Sequence, residues 1–296
     1  MSLLPLNYVE PLYRPPSEAG SLILQATLGC SWNRCGFCEM YRSKQFRPRP
    51  ESELFAEIEA ITKLDSLPRK LFLADGDAMV LSSRRLLSIL HKVQTELPKV
   101  GRVSAYAMPR NITNKSDREL RDLRQAGLRL LYVGIESGDN EVLQRIDKGE
   151  TAASTIEALC RTRAAGIKLS VMIINGLGGA SLSERHALHS AEALNAIQPE
   201  YLSTLALMLP EGEQRFREGF DSDFQLLERG ALLSELEQFV SHCELKNTIF
   251  RSDHASNYLA LKGILGRDKQ RLLTEIRTAI DTPEHAPLRE MWQRGL

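Results

Sequence analysis

A surplus of either charge is absent from this 296-residue sequence: Lys and Arg number 38, and so do Asp and Glu. That balance removes the broad positive field of a protein that holds nucleic acid non-specifically, although a local basic patch stays open. Long apolar runs are missing too. No stretch approaches the ~20 apolar residues of a membrane span, and the first sixteen residues lack the charged-then-apolar order of a secretion signal. The expectation is a cytoplasmic protein with no membrane association. No internal repeat, low-complexity tract or glycine-serine linker breaks the chain, which argues against domains swinging on a tether. Cysteine is scarce, five in all. In a reducing compartment five cysteines are not a disulfide scaffold, and a chain of this length with 43% hydrophobic residues can bury a core without one.

What is present is uneven. Cys30, Cys35 and Cys38 crowd together, whereas Cys160 reads as a core thiol and Cys243 ends a helical stretch. At this cysteine frequency the three-way spacing arises by chance in about 0.001 of such chains. Three is the informative number. Structural zinc and ordinary four-iron clusters take four protein ligands, and three leave one metal position open for a substrate or cofactor. A zinc site completed by histidine is the competing reading, weakened because the nearest histidine in sequence is His91.

The hydropathy pattern points to an α/β fold. Residues 22–26, 71–74, 103–107, 130–135, 169–174 and 201–207 form short strand-like runs, separated by helical stripes such as Leu54, Ile58 and Ile61, or Leu86, Leu90 and Val93. Ser116 and Glu119 spell a capping box ahead of a helix that Gly127 stops. Six βα units with right-handed crossovers imply a partial (βα)6 TIM-type barrel with parallel strands, whose functional residues belong at the C-terminal strand ends. Pro5, Pro11, Pro15 and Pro16 make residues 1–20 an extended N-terminal arm, and residues 21–210 are the core. A helical stretch over 224–243, a strand over 248–251 and a helix carrying Leu272, Ile276 and Ile280 make residues 211–296 a small C-terminal α/β extension.

The loop Cys30-Ser31-Trp32-Asn33-Arg34-Cys35-Gly36-Phe37-Cys38, together with the turns that close the later strands, resembles the radical S-adenosylmethionine (SAM) superfamily over residues 22–209. The resemblance is strongest to the core shared by elongator-type tRNA-modifying enzymes, methylthiotransferases and oxygen-independent coproporphyrinogen oxidases. It implies that Cys30, Cys35 and Cys38 hold a [4Fe-4S] cluster whose fourth iron is chelated by the amino and carboxylate groups of SAM. One feature departs from the family pattern: four residues, not three, separate the first two cysteines, which bears on the subfamily more than on the cluster.

Ala74-Asp75-Gly76-Asp77 stands where the family has a glycine-glycine-glutamate motif facing the SAM ammonium. Asp75, Gly76 and Asp77 are therefore SAM-binding candidates, with Asp77 the better acid; a plain βα turn explains the same residues equally well. Gly134-Ile135-Glu136-Ser137-Gly138, followed by Lys148-Gly149, resembles the fourth-strand segment beside ribose and methionine, which singles out Glu136 and Ser137. Ile173-Ile174-Asn175-Gly176-Leu177-Gly178-Gly179 resembles the fifth-strand turn under adenine, which singles out Asn175 and Gly176, with Gly179 replacing the usual acid. Phe37 matches an apolar position that borders adenine. Arg110, beyond the third strand, has the charge to pair with the SAM carboxylate, or to make an exposed salt bridge.

The activity implied is reductive cleavage of SAM to a 5′-deoxyadenosyl radical that takes a hydrogen atom from a substrate, with an electron donor such as flavodoxin or ferredoxin as partner. Arg42, Lys44, Arg47 and Arg49 put four cations close together without an acid, either to recognise phosphate or carboxylate or as a solvated loop. The two remaining cysteines are too few for an auxiliary cluster, and no room is left for a separate RNA-binding domain. A small anionic substrate is thus expected ahead of tRNA, with a non-catalytic iron-sulfur sensor as a further alternative. The one catalytic candidate is His254, in the polar run 251–257, read as a proton-transfer group or as part of a surface turn.

Overall fold

The computed structural model describes residues 6–64, 66–210, 212–220 and 224–295. Among these, the strands are β1 (Leu22–Gln25), β2 (Thr27–Leu28), β3 (Arg47–Pro48), β4 (Lys70–Ala74), β5 (Arg102–Tyr106), β6 (Leu128–Glu136), β7 (Lys168–Asn175), β8 (Tyr201–Ala206), β9 (Thr248–Ser252) and β10 (Leu261–Leu265). The helices are α1 (Glu51–Ile61), α2 (Ser83–Glu96), α3 (Pro109–Thr113), α4 (Asp117–Gln125), α5 (Asn140–Arg145), α6 (Ala152–Ala164), α7 (Gly179–Ile197), α8 (Gln214–Arg217), α9 (Arg229–His242) and α10 (Lys269–Asp281).

Eight strands follow the order β1-β4-β5-β6-β7-β8-β9-β10 in a mostly parallel α/β sheet, while β2 and β3 form a separate antiparallel pair. All six strand-like runs read from the sequence are strands, within two residues at either end. Among the described residues no helix is long and apolar enough to cross a membrane.

Contacts group the chain into two compact units. The first holds the residues up to 33, with 38–133 and 161–169. In it β1, β4, β5 and most of β6 run parallel, with Leu22 opposite Leu71, Leu71 opposite Val103 and Tyr106 opposite Tyr132. Leu71, Phe72, Leu73 and Ala74 are all fully buried, the continuous apolar run of a parallel strand covered on both faces. The capping box at α4 is formed: the Ser116 hydroxyl accepts the Glu119 N–H at 3.2 Å, and the Glu119 carboxylate accepts the Ser116 N–H at 2.7 Å. Gly127, at φ +103°, ends that helix as a glycine can. The arm is not extended throughout, since Pro16–Glu18 form a 3-10 turn, and it is tied down where the Tyr8 hydroxyl donates to the Ile23 carbonyl at 2.9 Å.

The second unit holds residues 34–37, 134–160 and 170 onward. Here β7, β8 and β9 are parallel and β10 returns antiparallel along β9, so the extension continues the ladder begun by the core strands. The helix expected over 224–243 begins only at Arg229. Phe224 is held elsewhere, in a cluster with Phe216 and Phe220 whose ring centroids lie 4.7 to 4.9 Å apart. The Gln225 carbonyl accepts the Ala180 N–H at 3.0 Å, which keeps this segment out of the helix.

Candidate functional site

In the first unit both ends of the cysteine loop meet on one carboxylate. Asp75, fully buried, accepts the Gly29 N–H at 2.9 Å, from the residue before Cys30, and the Lys44 ammonium at 2.8 Å, from beyond Cys38. The Gln25 side-chain amide donates to both Asp75 oxygens at 3.1 Å. Asp77 braces the loop further along: it accepts the Ser31 hydroxyl at 2.6 Å, the Met108 N–H at 3.4 Å and the side-chain amide of Asn111. Burial pushes the Asp77 carboxyl up to about 6, against those three donors, which favour the ionised form. The two acids read as SAM contacts thus have their carboxylates engaged inside the protein.

Gly76, between them, is half-buried. A Cβ there would stand 2.7 Å from the Tyr41 ring and 3.1 Å from the Cys30 Cβ, so only glycine lets this turn approach the first cysteine. The Tyr41 hydroxyl beside it is buried without a hydrogen-bond partner.

The four-residue spacing is accommodated at Asn33, which sits at φ +48°, a conformation asparagine tolerates better than most residues. Its side-chain amide donates to the Tyr41 carbonyl at 2.9 Å, and its own carbonyl accepts from Arg42 at 2.8 Å. Arg110 lies 3.9 Å over the Trp32 ring, stacked on the loop.

The cation row is solvated only in part. Lys44 is buried on Asp75 and Arg49 is buried on Glu57, each at 2.8 Å, whereas Arg42, which donates to the Cys38 carbonyl at 3.1 Å, and Arg47 are exposed.

In the second unit, Cys35 is half-buried on a segment pinned from two sides. The Gly36 N–H donates to the Ile146 carbonyl at 2.8 Å, and Arg215 donates to the Gly36 carbonyl at 2.7 Å. Phe37 packs against the buried cluster that includes Val142, Leu143, Leu177 and Phe216.

Glu136 closes β6 at φ +67°, a strained position for a residue with a side chain, and is buried. One carboxylate oxygen is 3.0 Å from the Lys148 ammonium; the other, Oε2, is buried with no hydrogen-bond partner. A Cβ on Gly134 would lie 1.9 Å from Glu136 Oε1, so glycine at 134 is what lets this carboxylate fold back. Glu136 thus combines a positive φ with a carboxylate that the protein satisfies on one side only.

Ser137 points elsewhere: its hydroxyl bonds His186 Nδ1 at 2.8 Å and accepts the Asp139 N–H at 3.0 Å. Asn175, the last residue of β7, is buried, and Gly176 turns at φ +84°, its N–H donated to Glu235 at 2.6 Å. His254 lies at the edge where β8 ends. Its Nδ1 accepts the Ser256 N–H at 3.1 Å, and the Ser256 hydroxyl accepts the Ala206 N–H, also at 3.1 Å. Burial and then Arg289 hold its imidazole below the ordinary value, with Asp253 opposing.

Sequence reading missed Gln25, Ser31, Asn111, His186 and Glu235. Glu235 alone carried a signal, as an acid within the apolar stripe Leu232, Leu236 and Phe239. Among the described residues no three His, Cys, Asp or Glu side chains already stand gathered as ligands, and a metal site commonly completes its geometry on binding. The donor chemistry fits an iron-sulfur cluster, since thiolates are the ligands such clusters take.

A sequence model of the radical SAM superfamily matches residues 24–191, more than half of the chain. The 4'-phospho-dehydrooxetanocin synthase of Priestia megaterium is 23% identical over 172 residues, covering 52% of this chain and 23% of that protein. The heme chaperone HemW of Bacillus subtilis (strain 168) is 22% identical over 142 residues, covering 48% of this chain and 37% of that protein. The chain therefore spans well under half the length of these curated relatives. The solved structure of coproporphyrinogen III oxidase (HemN) from Escherichia coli matches with a TM-score of 0.58 at 16% identity, over 75% of this chain and 51% of that one, a likeness of fold.

Proposed function

This chain belongs to the radical SAM superfamily, and from that premise we propose that it is an iron-sulfur enzyme in which Cys30, Cys35 and Cys38 hold a [4Fe-4S] cluster with one iron open to SAM. The observation that carries this reading is the cysteine loop itself, inside the matched span and fastened at both ends to Asp75. When bound, cluster and SAM supply the difficult chemistry, reductive cleavage to a 5′-deoxyadenosyl radical, with electrons from a donor such as flavodoxin or ferredoxin. The protein's part is to position the reactants and exclude water.

In the first unit, the Gly76 backbone receives the SAM ammonium, while Asp75 and Asp77 act at one remove by bracing the loop. Arg110, stacked on Trp32, is the cation assigned to the SAM carboxylate. In the second unit, Glu136 Oε2 accepts a hydrogen bond from SAM, Ser137 supports its turn through His186, and Phe37 with the 175–176 turn borders adenine.

The substrate we infer is a small anionic molecule, not tRNA. Two of the four cations between Arg42 and Arg49 are buried in ion pairs, so that stretch does not offer the row of free charges an RNA backbone requires. The name of the Priestia relative likewise denotes a phosphorylated small molecule. His254 is the proton-transfer candidate on the substrate side.

Anaerobic reconstitution, followed by mass spectrometry of the products formed from SAM and a strong reductant, tests the reading. Wild type is expected to yield 5′-deoxyadenosine, and Cys35→Ala to lose both cluster and product. Zinc in place of iron, or full cleavage by Cys35→Ala, overturns the assignment. Salt-sensitive competition by bulk tRNA would replace the small-molecule substrate with RNA.

A further inference from the structure

The segment beyond Pro210 reaches the strand-end turns of the second unit through one buried carboxylate. Glu235, on α9, is 2% exposed. It accepts the Gly176 N–H at 2.6 Å and the Ser183 hydroxyl at 2.6 Å, and stands 3.8 Å from His186 Nε2. The other nitrogen of His186 bonds the Ser137 hydroxyl, which takes the Asp139 N–H. His186 thus hydrogen-bonds the turn after β6, Glu235 hydrogen-bonds the turn after β7, and the two side chains face each other across 3.8 Å.

A second contact, of a different kind, acts on the same turn. A Cβ on Gly176 would lie 2.9 Å from the Leu232 side chain, three residues before Glu235 and on the same face of α9. A Cβ on Gly179 would meet the Phe224 ring at 2.7 Å, and the Ala180 N–H is taken by the Gln225 carbonyl. Residues 224–235 thus form the back wall of the turn 176–180. An apolar side chain at 235 would fill the same space among Leu232, Leu236 and Phe239; what the carboxylate adds is the grip on the Gly176 amide.

We propose that Glu235 is a positioning residue for SAM: by taking the Gly176 N–H it holds the backbone of the 175–178 turn in the position that borders the nucleoside. The proposal rests on the reading of that turn as the adenine side of the site. It makes the C-terminal segment a working part of cofactor binding.

The test uses full-length, anaerobically reconstituted enzyme: wild type, Glu235→Ala, Glu235→Gln, and Glu237→Ala as a control on the outer side of α9, where Glu237 pairs with Arg277. Three quantities are read: iron and sulfide per chain, the SAM dissociation constant from the SAM-induced change in the electron paramagnetic resonance of the reduced cluster, and amide exchange of residues 170–182 without SAM. Glu235→Ala is expected to keep its iron, bind SAM about tenfold more weakly, the scale of one lost hydrogen bond to a charged group, and exchange faster over 175–178. Glu235→Gln is expected to recover most of the affinity, because its amide oxygen still accepts the Gly176 N–H. Glu237→Ala should match wild type.

Unchanged SAM affinity in Glu235→Ala overturns the proposal. So does a loss of iron in step with affinity, which would mark a general fold defect, and so does a Gln variant no better than Ala. A wild-type cluster whose resonance ignores SAM overturns the functional reading itself and this inference with it.

Discussion

Lys44→Met tests how the cysteine loop is held. Lys44 and Asp75 make a 2.8 Å ion pair with side chains 5% and 0% exposed, so neither charge is screened by water. Removing one partner of such a pair costs about 3–5 kcal/mol, because the remaining charge stays buried. Asp75 would keep the Gly29 N–H and the Gln25 amide, which puts the expected loss near the lower end, about 3 kcal/mol. Against a total stability of about 5–15 kcal/mol that is a large fraction. Urea unfolding of wild type, Lys44→Met, Asp75→Asn and the double variant closes a thermodynamic cycle, in which the double variant should lose at least about 1 kcal/mol less than the sum of the singles. Iron uptake on reconstitution should fall in both single variants, since Lys44→Met loosens one end of the loop and Asp75→Asn both. A Lys44→Met protein within about 0.5 kcal/mol of wild type, or strict additivity in the cycle, would refute the claim that one carboxylate braces both ends.

Other parts of the molecule are as open to test. Phe216 is 1% exposed, stacked on Phe220 at 4.9 Å and edge-on to Phe224 at 4.8 Å. Phe216→Ala should cost about 3–5 kcal/mol in denaturant titrations, and a loss below about 1 kcal/mol would mean the cluster is not a core element. Burial pushes the Cys243 thiol up to about 12, so iodoacetamide at pH 8 should label Cys243 only in unfolded protein; equal labelling of native chain contradicts its burial. His254 is held below the ordinary imidazole value, chiefly by burial, so between that lowered value and about 6.5 the unfolded chain binds a proton the native chain refuses. Its stability contribution is intact above about pH 6.5 and is lost as pH falls below that value. His254→Gln should flatten this acid limb in urea midpoints, and an unaltered slope would show that His254 titrates alike in both states.

The parallel strands were legible because a strand covered on both faces reads as a short, nearly continuous apolar run, as 71–74 does throughout and 169–174 does apart from Ser170. The α4 start was legible for a local reason, since Ser116 and Glu119 satisfy each other within one turn. Elements decided at longer range were not. The run 261–265 carries Lys262 and Gly263 and becomes a strand only because β9 offers it an edge. The late start of α9 depends on Phe224 finding two other phenylalanines, a contact that helical periodicity in 224–243 does not report.

At the site, residues that are rare and chemically distinctive stood out, and the residues that hold them in place did not. Cys30, Cys35 and Cys38 are conspicuous because thiols are few. Lys44 is one of four neighbouring cations, and nothing in the string separates the buried Lys44 and Arg49 from Arg42 and Arg47, which face solvent. The acids near the strand ends were legible as acids, but their use follows from a constraint that operates only in the folded chain. A buried carboxylate must be satisfied by the nearest donors, and at the end of a strand those are the amides and side chains of the adjoining loops. Asp75 and Asp77 therefore spend their hydrogen-bonding capacity on Gly29, Lys44, Ser31 and Asn111, whereas Glu136, forced to a positive φ and paired on one side only, keeps an oxygen for something else. The three acids thus differ in how many of their lone pairs the protein has already claimed. By that measure Glu136 is the acid of the three with capacity left to bind.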